Sequence, residues 1–435
     1  MAKQLLPLIV LIIFAVQAQA GTRYIVKLKD GAAKSFLAQK SNLRLGSFQD
    51  MKLSFGDYLT LETDDNKSLN ILSSHPDVAY IEPSIKLSIY PVITHNDEGG
   101  DTKEITTMND PKFTKQWGLI NTGSNSGWFF GGTKGEDVNV KQAWDISTGN
   151  QDLIVAVIDT GVDHDHPDLA QNMWTNQQEL NGKEGVDDDG NGFIDDIHGY
   201  DFSNNDGDPN DDNGHGTHCA GNIGAIHNNN EGVAGVMGNV KLMGLKFLSR
   251  GGSGESEDAI KSIDYAVRMG AKVLSNSWGG GEKSQALKDA IVAANQAGVV
   301  FIAAAGNSRR NHDSSPSYPA AYKVDNVLSV GSMAGSGKKS GFSDYGASTV
   351  HIFAPGSGIM STYKGGGYKK LSGTSMAAPL ASGVVGLLLA SEPELTPKEV
   401  VDRLVNTAAK TKALDGKSIS NGRVDAYRAL QNIDN

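Results

Sequence analysis

The sequence predicts an α/β fold: a mainly parallel central sheet with helices on both faces, three layers in all, preceded by a small α+β unit. Three observations predict it. From residue 109 onward, β-branched runs at 153–158, 240–245, 272–275, 299–304 and 327–330 alternate with helical stretches at 256–269, 284–297, 376–390 and 397–408. Alternation of that kind builds a parallel sheet covered on both sides. The stretch 371–390 crowds small residues around one hydroxyl, Ser375, and then runs apolar for the length of a buried helix. Ahead of all this, residues 21–90 carry strand signals at 24–28, 58–62 and 78–81 and helix signals at 32–40 and 68–74, enough for a separate small unit.

Taken in order, residues 1–20 read as a signal peptide. Lys3 supplies the positive start, 5–16 is apolar but short for a bilayer, and Ala18-Gln19-Ala20 is a small-residue cleavage site. The chain is therefore expected to be secreted, extracellular or periplasmic, with no membrane span once the signal is removed. The only cysteine is Cys219, so no internal disulfide forms and stability outside the cell must come from the core and from bound metal. Residues 91–108, with Pro91, Gly99, Gly100 and mixed charges, read as an exposed linker, and 109–435 as the main domain. A chain of 435 residues that is 39% hydrophobic with a net charge of −11 suits a large soluble core and disfavours a nucleic-acid partner.

Four stretches carry chemistry. An apolar strand ends in Asp159-Thr160-Gly161, where a buried carboxylate can orient a histidine. In Gly214-His215-Gly216-Thr217-His218-Cys219, flanking glycines leave the His215 imidazole accessible to act as a base. His218 and Cys219 read as structural groups. The strand at 299–304 delivers Asn307 after Gly306, where its amide could donate to an oxyanion. Ser375 sits where a helix begins, beside unpaired backbone N–H groups.

Together these stretches resemble the subtilisin-like serine proteases. Asp159-Thr160-Gly161, His215-Gly216-Thr217-His218 and Gly373-Thr374-Ser375-Met376-Ala377 match the three signatures in the family's order, and Gly306-Asn307 matches its oxyanion motif. The resemblance implies a subtilisin-like fold over 109–435 and a secreted serine endopeptidase. Ser375 would be the nucleophile, His215 the base and Asp159 its orienting group, with Asn307 in the oxyanion hole. Gly252-Ser253-Gly254 and Ser277-Trp278-Gly279 resemble the two backbones that clamp an extended peptide, with Gly306 beside the primary pocket and Ser317 near its base. Arg309 and Arg310 would lie near its rim. The N-terminal unit resembles the family's ferredoxin-like inhibitory propeptide in Tyr24-Ile25-Val26-Lys27 and His75-Pro76-Asp77-Val78. That implies a monomeric zymogen whose partners are peptide or protein substrates and its own propeptide, processed within the linker. Asn421-Gly422-Arg423-Val424-Asp425 looks like the domain's usual close, so no further module is expected. A silent calcium-dependent binding module on the same scaffold is the alternative; it predicts a lost triad member, and all are present.

Calcium is the expected cofactor, as one or two structural ions. The acidic insertion Asp187-Asp188-Asp189-Gly190-Asn191-Gly192-Phe193-Ile194-Asp195 has the oxygen spacing of an EF-hand loop, with Asp187, Asp189, Asn191 and Asp195 as side-chain ligands and the Phe193 carbonyl between. His198 stands where that loop needs a bidentate Glu, and Asp196 or Asp201 could supply the missing carboxylate. A second site is implied by resemblance: His227, Asn229, Glu231 and Val233 in the loop 227–233, with Asp110 and Asp168.

Overall fold

A computed structural model describes residues 22–33, 35–37, 47–95, 108–124, 132–280 and 282–434. Residues 1–20, read as a signal peptide, and residues 96–107 of the expected linker lie outside the described residues. The rest divides into two compact units, one holding residues up to 52 and 56–84, the other residues 53–55 and 85–435.

In the first unit, strands β1 (Arg23–Leu28), β2 (Ser47–Asp50), β3 (Tyr58–Glu62) and β4 (Val78–Pro83) form an antiparallel sheet in the order β2-β3-β1-β4. Helix α1 (Asn66–Ser73) starts at Asp65, whose side chain accepts from the Lys67 and Ser68 N–H groups, as N-caps do. Alternate strand residues Tyr24, Val26, Leu28, Leu59 and Leu61 meet Leu72 of α1 in the core. Within the described part of 32–40, residues 33 and 35–37 are helical. β2 was not expected, because Ser-Phe-Gln-Asp carries no alternating apolar pattern; it exists through pairing with β3.

The second unit is built on a mostly parallel sheet. Among the described residues it has nine strands, in the order β18 (Ala409–Lys410), β19 (Gly422–Arg423), β15 (Ile352–Pro355), β14 (Val327–Met333), β13 (Val300–Ala304), β11 (Val273–Asn276), β7 (Gly149–Asp159), β9 (Asn239–Lys246) and β8 (Gly199–Asp201). Strands β10 (Ser253–Glu255), β12 (Trp278–Gly279) and β16 (Ile359–Tyr363) belong to two smaller sheets. The central strands β11, β13 and β14 are buried throughout, as strands covered on both faces must be. Helix α2 (His215–Gly224) and the eighteen-residue α5 (Thr374–Ser391) pack on this sheet, and so do α3 (Ser256–Arg268), against β7 and β9, and α4 (Gln285–Gln296), against β13, these last two also packing on one another. α5 is apolar all round because sheet and helices surround it. It is the one helix, among the described residues, long and apolar enough to cross a membrane, and it is buried in the core. Helix α6 (Pro397–Asn406) opens with a Thr396–Glu399 capping box and proline in its first turn.

One stretch departs from the sequence reading. The first unit ends at Ser84, and the residues that follow belong with the second. β5 (Lys86–Ile89) falls in what reads as the small unit, 21–90, and β6 (Ile93–His95) in what reads as the exposed linker, 91–108, yet both are strands of the second unit. Lys86-Leu87-Ser88-Ile89 alternates but is short, and Ile93-Thr94-His95 has no strand pattern; each forms through the edge it pairs with.

Candidate active site

Parallel strands put their carboxyl ends on one edge of the sheet, where functional groups gather. β7 ends there on Asp159, fully buried. α2 begins at His215, and glycine at 216 lets it lie against the strand end: a Cβ there would stand 2.1 Å from the Gly161 carbonyl oxygen. His215 Nδ1 donates to Asp159 Oδ1 at 2.8 Å. A carboxylate only accepts, so Nε2 keeps the free lone pair. That Nε2 is buried with no hydrogen-bond partner. Burial by itself pulls the imidazole down, but the Asp159 carboxylate outweighs it and holds His215 well above its ordinary pKa.

Ser375 lies in the first turn of α5, and its Oγ donates to the Ser277 carbonyl at 3.1 Å. No hydrogen bond from Ser375 to His215 Nε2 is therefore made here; bonds of that kind in active sites commonly close only with substrate in place. Cys219 bridges the two groups: its Sγ donates to the Ser375 carbonyl at 3.3 Å and stands 3.9 Å from His215 Nδ1. Burial pushes this thiol up, so it packs and does not react. His218 is structural as well, its Nε2 donating to the Ile359 and Lys369 carbonyls. Asn307 follows β13, and its Oδ1 accepts from the N–H and hydroxyl of Thr374, both at 2.9 Å. That fixes which way the amide faces and leaves Nδ2 to donate outward.

The chain's own segment fills the groove over these groups. β5 inserts antiparallel between two edges, pairing Ser88 with Ser253, Leu87 with Gly254, Ile89 with Trp278 and Ser88 again with Gly279. The Ile89 N–H donates to the Gly252 carbonyl at 2.9 Å. The Tyr90 side chain enters a pocket walled by Gly279 and Gly306, its hydroxyl 3.4 Å from Ser317 Oγ. Burial pushes that phenol up to about 12. Asn307 Nδ2 then donates to the Pro91 carbonyl at 2.9 Å. Beyond it β6 pairs with β17 (Gly367–Ser372), Ile93 opposite Ser372. The segment 86–95 thus runs past Asn307 and the residues leading to Ser375, β5 held on both sides and β6 on one by main-chain pairing.

The sequence profile of the subtilase family, peptidase S8, matches residues 150–424. The chain belongs to this family. Thermitase of Thermoactinomyces vulgaris is 38% identical over 296 residues, covering 68% of this chain and 94% of thermitase. Subtilisin-like protease 1 of Plasmodium berghei (strain Anka) is 37% identical over 299 residues, 64% of this chain, which spans 49% of that protein's length. Among solved structures, fervidolysin from Fervidobacterium pennivorans, described as a keratinolytic enzyme related to subtilisin, superposes with a TM-score of 0.74 at 25% identity, covering 96% of this chain and 62% of its own. The subtilase fold is thereby shown, and with it the enzyme class of serine endopeptidases.

In this subtilase the acidic insertion is arranged differently from an EF-hand loop. Asp187 accepts from the Asn191 and Gly192 N–H groups, Asp189 and Asn191 stand side by side, and the Asp195 carboxylate turns to the Gly185 N–H. The carboxylates that converge are Glu179, Asp189 and Asp196, their oxygens within 4.8 Å of one another. Of the residues picked from the sequence, Asp189 and the substitute carboxylate Asp196 belong to this cluster, and Asp187, Asp195 and Asp201 do not. Glu179 was missed because it lies on the separate one-turn helix Gln177–Leu180. It accepts from the Asp188, Asp189 and Asp195 N–H groups, so it organises the loop from outside. Burial, with Asp189 and Glu179 nearby, raises Asp196 to about 6. In the second loop, Asp168 accepts from Asn229 Nδ2 and the Val233 N–H at 2.9 Å each, and Asp110 from the Asn228 and Asn229 N–H groups. The Asn229 side-chain oxygen accepts from the Glu231 N–H. The His227 ring turns away from the carboxylates, packing on Trp144 and bonding the Gly235 carbonyl.

Proposed function

We propose that this subtilase is an exported endopeptidase that hydrolyses extended polypeptides and is made as a self-inhibited precursor. The observation that carries the reading is the strand of its own chain seated across Ser375, with Tyr90 in a side pocket and a carbonyl on Asn307 Nδ2. A substrate strand would bind the same two edges by backbone addition. Ser375 Oγ would attack its carbonyl while His215 Nε2 takes the proton. Asp159 holds the imidazole's tautomer and stabilises the imidazolium. The tetrahedral oxyanion would be met by Asn307 Nδ2 and the Ser375 N–H at the start of α5. Collapse to an acyl-enzyme passes the proton to the leaving amine, and water completes the cycle.

The resident strand differs from a substrate at Pro91. The bond between Tyr90 and Pro91 is a tertiary amide without an N–H, and the carbonyl on Asn307 belongs to Pro91, one residue beyond the pocket occupant. This register supports binding without ready cleavage. Processing within 96–107 would leave 85–95 as a detached strand still in the groove.

The hard-oxygen set of Glu179 and Asp196, both buried, and Asp189, half-buried, fits a calcium ion. Bound there, or at the Asp110–Asp168 loop, calcium would supply positive charge to carboxylates otherwise buried unpaired, and would bind only the folded state. The test is digestion of an unfolded protein by the processed chain: wild type cuts it, Ser375→Ala does not, and equal cutting by both would end the reading.

A further inference from the structure

The amide of Asn307 is only as well aimed as the turn that carries it, and that turn is held from behind by one carboxylate. Asp344 is 2% exposed. Its Oδ1 accepts from the Ser308 N–H at 2.8 Å and the Arg310 N–H at 2.7 Å, and its own N–H donates to the Gly306 carbonyl at 2.8 Å. The residue between those two donors, Arg309, has φ of +62°, a left-handed conformation that is strained for a residue bearing a side chain. Arg309 makes no local bond that would repay this within the turn; its N–H goes to the Phe342 carbonyl on the Asp344 loop. The carboxylate also stands directly behind Gly306, where a Cβ would meet Oδ2 at 2.4 Å. Behind the carboxylate lies His312, fully enclosed, with Nε2 3.3 Å from Asp344 Oδ2 and Nδ1 buried without a partner. An imidazole buried with one nitrogen unsatisfied is costly, and its one side-chain bond is the one that steadies Asp344.

We propose that Asp344, buttressed by His312, is a positioning residue for the oxyanion step: it holds the 306–310 turn in the strained shape that aims Asn307 Nδ2 at the developing charge. The inference rests on the reading of Asn307 as an oxyanion donor, and it adds residues that touch neither substrate nor the triad. Thr374 sets the rotation of the amide; Asp344 sets where its backbone stands. The peptide ladder uses 252–254 and 278–279, which Asp344 does not touch; its carboxylate does back Gly306, a wall of the side pocket, so for a peptide whose cleaved position carries alanine and leaves that pocket unfilled, its loss acts on kcat and spares KM.

The test uses the full chain after processing, a peptide with alanine at the cleaved position, and active-site titration with an organophosphonate to count competent Ser375. Asn307→Ala alone is expected to lower kcat about 10²–10³-fold with KM nearly unchanged; if it does not, the reading of Asn307 fails. Asp344→Ala is expected to lower kcat about 10–100-fold, within that bound, with KM within about twofold. Asp344→Asn keeps an acceptor oxygen for both N–H groups and restores most of the rate. Decisively, Asp344→Ala placed on Asn307→Ala should lower kcat no further. The same factor in both backgrounds, or a rise in KM alone, overturns the proposal while leaving Asn307 intact. If Asp344→Ala gives no titratable sites, His312→Ala must show the kcat-only loss that disappears in the Asn307→Ala background, and its failure to do so overturns the proposal equally.

Discussion

Replacing Gly279 with alanine closes the side pocket from its wall. A Cβ at this position would stand 2.0 Å from the Tyr90 hydroxyl oxygen, 2.7 Å from Cζ and 2.9 Å from the Tyr318 carbonyl oxygen. The backbone contact prevents retreat on one side, so the phenol ring must leave. A tyrosine side chain buries about 150–250 Å², which at about 25 cal/mol per Å² is worth about 4–6 kcal/mol when complete. Tyr90 is mostly buried, and about two-thirds of that is about 3–4 kcal/mol, or a roughly 100- to 1,000-fold loss at 1.36 kcal/mol per decade. The assay is kcat/KM for two peptides differing only in Tyr or Ala at the cleaved position. The Tyr/Ala ratio should fall by that factor with the Ala peptide nearly unaffected. An unchanged ratio, or an equal fall for both peptides, would refute the assignment of this pocket.

Other predictions follow from the same geometry. Catalysis needs Nε2 unprotonated, so kcat/KM rises with pH through the His215 titration, and its acid limb should lie above the ordinary imidazole value of about 6.5. In Asp159→Asn the charge that raises His215 is gone and burial remains; the limb should move below that value as the rate falls about 10⁴-fold, and a limb that stays put contradicts the account. Calcium chelation should lower the melting temperature by about 5–10 °C, the effect of losing an ion held at about a hundred times its Kd, and Glu179→Ala should remove much of that response; excess EDTA without effect counts against a structural ion. A peptide spanning 85–95 should inhibit the processed enzyme, and the same peptide carrying Tyr90→Ala should bind at least about tenfold more weakly; equal inhibition would mean the pocket contributes nothing.

What was legible in the sequence was whatever local pattern encodes. Asp159, His215, Asn307 and Ser375 each sit at the end of a strand or the start of a helix whose apolar run announces it, so their meeting on one sheet edge follows from strand order. The strands of the inserted segment were not legible. Lys86–Ile89 and Ile93–His95 are short, flank a proline, and become strands only through pairing with 253–255 and 278–279 and with 370–372, far away in sequence. The acidic loop shows the limit of linear spacing: Asp195 fits the ninth position of a calcium loop on paper, yet its carboxylate caps the Gly185 N–H, while Glu179 arrives from another element. Asp344 was invisible for the same reason, since its role lies in contacts with residues more than thirty positions earlier.

The central claim is a serine endopeptidase that processes itself, and intact mass over time tests it most directly. The signal-less protein and its Ser375→Ala variant are each incubated with calcium. The account predicts loss of the N-terminal unit, with a new end within 96–107, in the wild type alone. If both proteins stay full length, or both are clipped alike, Ser375 is not carrying out self-cleavage and the account is contradicted.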